Sequence, residues 1–182
     1  MRSTICLAGV LLALSSQFAS LGCGSSAPAA VTCDAGGCEC TSPQVCQLDC
    51  GDVVGCQPTC LAFGDRCQAT CFDDCEFRCS QGTNCDGMCG DNCYAHCSSD
   101  QTCTVEAGAN SSYQCLNTPS CAADVGDAST VQCTSVRSCN ARCQGTCTVF
   151  CIGTETCSVE CLQGQRTSCG QGTYTCGIPC PG

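Results

Sequence analysis

The stretch CNARCQGTCTVFCIGTETCSVEC, Cys139–Cys161, carries six cysteines at steps of four, four, four, six and four residues. The rhythm extends in both directions. From Cys67 to Tyr174 the chain divides without insertion into six blocks of 18 residues: 67–84, 85–102, 103–120, 121–138, 139–156 and 157–174. A fixed period of this length marks stacked units that share one continuous core. With block positions numbered as slots 1 to 18, cysteine belongs at slots 1, 5, 9 and 13. Slots 1 and 13 are cysteine in all six blocks.

Between the cysteines the pattern alternates. Slot 3 is always small (Ala69, Gly87, Val105, Ala123, Ala141, Val159), and slot 11 is mostly apolar (Phe77, Ala95, Tyr113, Val131, Val149, Thr167). Slots 2, 4, 10 and 12 are mostly polar. Slots 1–5 and 9–13 therefore read as two half-buried strands with period two. Slots 6–8 and 14–18 are rich in Gly, Asn, Asp, Ser and Thr, as turns require. Two strands per block, stacked in register with their copies, predict an all-β, flattened β-solenoid with a disulfide ladder as its core. Two rival readings use the same spacing. An array of independent disulfide-linked β-hairpins would place slots 5 and 9 opposite each other, without needing a constant connection between blocks. Helices would align residues four apart on one face, but the Gly and Asn in each connection and the Val and Thr of the strands argue against them.

Blocks three and four lose slots 5 and 9 together. Ala107 and Val125 replace one cysteine, and Ser111 and Ser129 the other, while slots 1 and 13 stay. Joint loss is the behaviour of a bonded pair, because an orphan thiol would be reactive. The expected short bonds are Cys50–Cys56, Cys71–Cys75, Cys89–Cys93 and Cys143–Cys147. The expected long bonds join slots 1 and 13 of one block: Cys46–Cys60, Cys67–Cys79, Cys85–Cys97, Cys103–Cys115, Cys121–Cys133, Cys139–Cys151 and Cys157–Cys169. Cys33, Cys38, Cys40, Cys161, Cys176 and Cys180 receive no partner. Bonds this dense require the two strands of a block to lie closer than the usual ~10 Å between packed sheets.

Composition agrees with a covalent core. Cysteine is 30 of 182 residues, whereas after residue 22 there are four Leu, two Ile, four Phe and no Trp. Too few large apolar side chains remain for an ordinary core. The net charge is −10, every positive residue is Arg, and the arginines are scattered. Nucleic-acid binding needs a basic stripe, so it is not expected.

The N-terminus MRSTICLAGVLLALSSQFASLGCGSS has one arginine, an apolar run from Ile5 to Leu14 and then small residues. That is a secretory signal over residues 1–22, too short for a membrane span. Ser20–Cys23, SLGC, resembles a bacterial lipobox, with Ser20 where that family usually has Leu. The resemblance implies cleavage before Cys23 and lipidation of that cysteine. Gly24 in place of an Asp implies the outer membrane or cell surface, and several acyl chains would make the anchor stable. Without the lipid, the chain would be a free secreted module. Export implies an oxidising compartment, and 28 cysteines remain after Cys6 and Cys23, an even number. The expected organisation is a lipidated Cys23 and flexible tether (23–32), an N-terminal cap (33–45), the repeat domain (46–174, with a looser first coil at 46–66) and a C-terminal half-coil (175–182). The repeat resembles the disulfide-stapled solenoids of small insect antifreeze proteins, whose repeat is shorter, and the cysteine-rich surface lipoproteins of bacteria.

Candidate chemistry is sparse. A thiolate metal site would need reduced cysteines in dense groups, but there is one C-x-C (Cys38–Cys40) and no adjacent pair. Slot 7 holds Asp73, Asp91 and Asp127, a broken column that suits turn capping better than Ca²⁺. His96, the single histidine, falls on an outward slot with no orienting carboxylate. Outward threonines are too irregular for ice binding. No catalytic residue, cofactor or metal site is expected. The expected role is a non-enzymatic structural, adhesive or ligand-binding lipoprotein. Its partners would be the membrane, through the lipid, and an extracellular protein or glycan. Alternatives are a secreted inhibitor or binding module and a thiolate metal-binding protein.

Overall fold

The computed structural model of the chain describes residues 29–40, 45–61, 66–81, 84–98 and 101–181. The expected signal segment, Cys23 and the first part of the tether lie outside them. Among the described residues every regular element is a strand, and the strands form two sheets. Strands β1 (Ala29–Thr32), β3 (Cys46–Asp49), β5 (Cys67–Thr70), β7 (Asn84–Cys89), β9 (Thr102–Ala107), β11 (Ser120–Val125), β13 (Ser138–Cys143) and β15 (Thr156–Cys161) lie side by side in the first sheet. The second contains β2 (Cys38–Cys40), β4 (Pro58–Cys60), β6 (Glu76–Ser80), β8 (Tyr94–Ser98), β10 (Ser112–Leu116), β12 (Ser129–Thr134) and β14 (Cys147–Ile152), followed by β17 (Thr173–Cys176) and then β16 (Arg166–Gly170). The chain therefore alternates between the sheets and climbs one strand per coil, a β-solenoid. Up to β14 and β15, neighbours are parallel and in slot register: Cys103, Cys121, Cys139 and Cys157 face one another in one column, and Cys97, Cys115, Cys133 and Cys151 in the other. Parallel pairing with the copy 18 residues on excludes both the hairpin array and the helices.

Burial alternates along β8 to β14 because cysteine and the slot 3 and 11 residues point inward. Large and small residues complement one another between the sheets. Phe77 is fully buried against Gly87, where an added Cβ would sit 2.7 Å from the Phe77 ring. Tyr113 reaches across the core to donate a hydrogen bond to the Cys103 carbonyl at 3.4 Å. The sheets are close, as the disulfides demand: Cα atoms of bonded pairs in the coils lie 6.0–6.4 Å apart.

The pairing of the outer columns differs from the sequence expectation. Short bonds join Cys50–Cys56, Cys71–Cys75 and Cys143–Cys147 across the turn at slots 6–8. The seven long bonds expected within a block are absent. Slot 13 instead bonds slot 1 of the next coil: Cys60–Cys67, Cys79–Cys85, Cys97–Cys103, Cys115–Cys121, Cys133–Cys139 and Cys151–Cys157. Cys40–Cys46 begins this series. The reason is the climb of the chain. Slot 13 runs through the turn directly onto the facing strand of the next coil, 6.4 Å away at Cys115–Cys121. Its own slot 1 lies one strand spacing lower, about 8 Å off, beyond the ~7 Å a disulfide spans.

Both ends also differ. Residues 29–32, expected in the tether, form β1 and pair with β3, and with β2 they complete a short extra coil where a cap was expected. Val31 stacks beside Leu48 there, and Cys33–Cys38 closes the turn. At the other end the expected parallel half-coil is replaced by a reversal. β17 runs antiparallel to β14, with Cys176 opposite Cys147, and β16 packs outside it. Gln165 at slot 9 gives Cys161 no partner across its turn, so Cys161 bonds Cys176, and Cys169 bonds Cys180 in place of Cys157. Gly170 and Gly172 make the reversal with positive φ. A Cβ on Gly172 would sit 2.2 Å from the Cys151 carbonyl, which only glycine permits.

Candidate functional site

The outward slots 2 and 4 of the first sheet form two shallow depressions that meet at β9. One, of about 440 Å³, lies over β3, β5, β7 and β9, and the other, of about 350 Å³, over β9, β11, β13 and β15. Together they make a furrow along the stack. Its walls follow from the fold: alternation points slots 2 and 4 to solvent and slot 3 side chains into the core, so the strand backbone at slot 3 forms the floor. Five carboxylates line it (Asp49, Asp86, Glu106, Asp124, Glu160) against two arginines. Both arginines are engaged by those carboxylates. Arg66 meets Asp86 at 2.7 Å, and Arg142 bridges Asp124 at 3.4 Å and Glu160 at 3.6 Å. The furrow is therefore acidic, with amide and hydroxyl groups from Gln47, Gln68, Thr104, Asn140 and Ser158 between the charges. Solvent-exposed pairs of this kind add little stability.

The slot 7 aspartates cap turns. Asp73 Oδ1 accepts the Asp91 amide at 2.8 Å and Asp91 Oδ1 accepts the Ala109 amide at 2.7 Å, each one coil on. Asp127 accepts both the amide and the hydroxyl of Thr146 at 2.6 Å. The Thr146 hydroxyl, then its backbone amide, hold the Asp127 carboxyl below the usual carboxylate range. Oxygens used in this way tie coil to coil.

His96 lies on β8 between Arg78 and Gln114, edge-on to Tyr94 at 6.5 Å between ring centres. Its Nε2 is buried without a hydrogen-bond partner among the described residues. Two groups of three sulfurs approach within metal-binding distance, Cys33/Cys50/Cys56 and Cys143/Cys147/Cys176. All six atoms are in disulfides, which leaves no thiolate to ligate a metal.

Cys89 and Cys93, an expected bond, are free thiols in the structure. Two other features escaped the sequence reading. Ser111 and Ser129, read only as cysteine replacements, accept the amides of Cys93 and Ser111 respectively, each at 3.1 Å. Arg166 donates to the Val159 carbonyl on β15 at 3.3 Å and covers the Tyr174 ring, blunting an open sheet edge. The serines carried a signal, since both are buried slots; Arg166 carried none, because its position depends on the chain reversal.

Fold and surface together define a disulfide-rich β-solenoid with an acidic furrow on one sheet. No family model, curated protein or solved structure matches the chain.

Proposed function

We propose that this chain is a non-enzymatic binding module, exported and held at the outer membrane or cell surface by lipid on Cys23, that takes an extended ligand along the furrow of the first sheet. The observation that carries the reading is the furrow itself. It runs along the stack and repeats carboxylate, amide and hydroxyl groups about every 4.8 Å, the spacing of paired strands. Successive hydroxyl-rich units of a glycan chain suit such a row, each making a few weak hydrogen bonds that add along its length. The rigid, stapled backbone favours this use, because little order is lost on binding. Extensive disulfides fit export. The furrow's net negative charge disfavours acidic polymers, nucleic acids included.

The test uses the mature exported chain and a panel of neutral, cationic and acidic polysaccharides. Binding to a neutral or cationic polymer is expected, weakened about tenfold or more by Asp86→Asn with Glu106→Gln, which removes two central hydrogen-bonding charges. Substitutions on the outer face of the second sheet (Gln132→Ala, Thr148→Ala) should leave it unchanged. Binding that ignores the furrow changes overturns the site. Mass measurement of the same protein decides the anchor: acyl chains on Cys23 are expected, and an unmodified or absent Cys23 removes it.

A further inference from the structure

Among the described cysteines, all but two are bonded, and those two are one slot 5–9 pair. Cys89 ends β7 and is partly exposed, while Cys93 sits across the short turn with 2% exposure. Their thiols hydrogen-bond each other. The pairs in the same slots, Cys71–Cys75 and Cys143–Cys147, are closed. The following coil has Ala107 and Ser111 there and holds the turn by hydrogen bonds instead. The coil of Cys89 has that support as well: Cys93 donates its amide to Ser111 Oγ, and Asp91 donates its own to Asp73. Its turn is thus secured whether or not the sulfurs are joined.

The surface around the pair is unusual. Val54, Phe72 and Met88 are 56%, 47% and 50% exposed, three of the seven large apolar side chains that the described surface presents. They lie on three successive coils, Met88 next to Cys89 in the chain at the edge of the furrow, Phe72 one coil below and Val54 one coil below that. Gly90 donates to the Phe72 carbonyl at 3.3 Å, Cys71 to the Met88 carbonyl at 2.9 Å, and Gly55 to the Asp73 carbonyl at 3.3 Å. The Cys93 sulfur itself lies 3.6 Å from the Phe72 carbonyl oxygen.

We infer that Cys89 and Cys93 form a redox-active pair that exchanges disulfides with an external dithiol, with Val54, Phe72 and Met88 as the rim on which a dithiol protein docks. In the oxidised form an external thiolate attacks the partly exposed Cys89 sulfur. The Cys89–Cys93 bond breaks, Cys93 leaves as a thiolate, and a mixed disulfide joins Cys89 to the partner. The partner's second thiolate then attacks its own sulfur in that bond and releases Cys89. The partner is oxidised by two electrons, and the pair is reduced to the two thiols seen here. Cys93 suits the leaving role. The hydrogen bond from the Cys89 thiol, and less strongly the backbone of Cys75, bring its pKa below the ordinary thiol value, against burial and the charges of Asp73 and Asp74. A leaving thiol of lower pKa departs faster, and a stabilised reduced form makes the pair a stronger oxidant. Cys89 moves the other way, raised first by the same hydrogen bond and then by burial.

The test equilibrates the exported chain in buffers of graded reduced-to-oxidised glutathione, followed by acid quench, alkylation and peptide mapping. Cys89 and Cys93 should pass together and reversibly between alkylated and bonded forms, while Cys143–Cys147 stays bonded throughout. Cys93→Ser should trap one glutathione on Cys89. Cys89→Ala with Cys93→Ser, which reproduces the residues of the next coil, should remove the response and keep the fold. Phe72→Ser should slow exchange with a reduced thioredoxin-type protein about tenfold, the size of one lost apolar anchor, and leave the glutathione rate unchanged. A pair that stays bonded in every buffer, or stays reduced in every buffer, overturns the inference, and an unchanged protein rate for Phe72→Ser overturns the rim.

Discussion

The two edges of the solenoid are built differently. At the edge of the long turn, slots 14–18, a disulfide crosses at every step from Cys40–Cys46 to Cys151–Cys157. At the edge of the short turn, slots 6–8, bonds stand near both ends and the middle has none: Cys89 and Cys93 are thiols, and Ala107/Ser111 and Val125/Ser129 follow. Loop length does not explain this. Sequence separations of six and four residues both predict ~2 kcal/mol per bond in the chain-entropy model. Hydrogen bonding does. The short turns stack tightly, with Gly126 donating to the Ala107 and Gly108 carbonyls, aspartates capping the next coil and serines accepting buried amides. Among the described residues, the long turns are tied mainly by backbone bonds, such as the Asn117 amide to the Thr134 carbonyl at 3.1 Å and the Ser135 amide to the Ile152 carbonyl at 2.8 Å. Where backbone and side chains already hold the turn, sulfur is dispensable.

The largest expected effect breaks that contrast if it fails. Replacing Cys133 and Cys139 together by alanine should cost about 2–4 kcal/mol, the usual range for a lost native disulfide, read by denaturant unfolding under non-reducing conditions. The same change at Cys143 and Cys147 should cost measurably less. Equal losses would mean the edges are equivalent.

A smaller effect probes the hydrogen bonds that replace sulfur. Ser111 is 2% exposed and accepts the Cys93 amide. Ser111→Ala should cost about 1–3 kcal/mol by leaving that donor buried and unpaired, with faster hydrogen exchange at Cys93 than at Cys115. Unchanged exchange would show that the serine only fills space.

The smallest effect is electrostatic. The folded Asp127 carboxyl titrates below its unfolded value. Its contribution is therefore present above the unfolded value, about 3.9, and fades as pH falls through the lower folded value. Melting temperature below about pH 4 should fall more steeply for the parent than for Asp127→Asn, with the two curves running parallel above pH 5. Parallel curves throughout would remove Asp127 from the edge's support.

Much of this organisation was legible in the chain. The 18-residue period, the inward slots and the coupled loss of slots 5 and 9 are local regularities, and Gly, Asn and Asp in the turns name their own chemistry. The slot 7 aspartates read as caps from turn chemistry alone. The furrow was not legible, because it depends on which outward residues of different coils come side by side. Nor was β1, where Ala29 stands in the cysteine column and a shortened turn hides the repeat.

By itself the sequence determined that two short strands alternate, that their inner faces are cysteine and small residues, and that copies stack at constant length. Only the tertiary structure decided which cysteine meets which. Slot 13 faces two slot 1 residues one strand spacing apart in height, and the direction in which the chain climbs selects the upper one. The same dependence on neighbouring strands decides the C-terminal part: with no cysteine at Gln165 the chain folds back onto β14, and Cys161 finds Cys176.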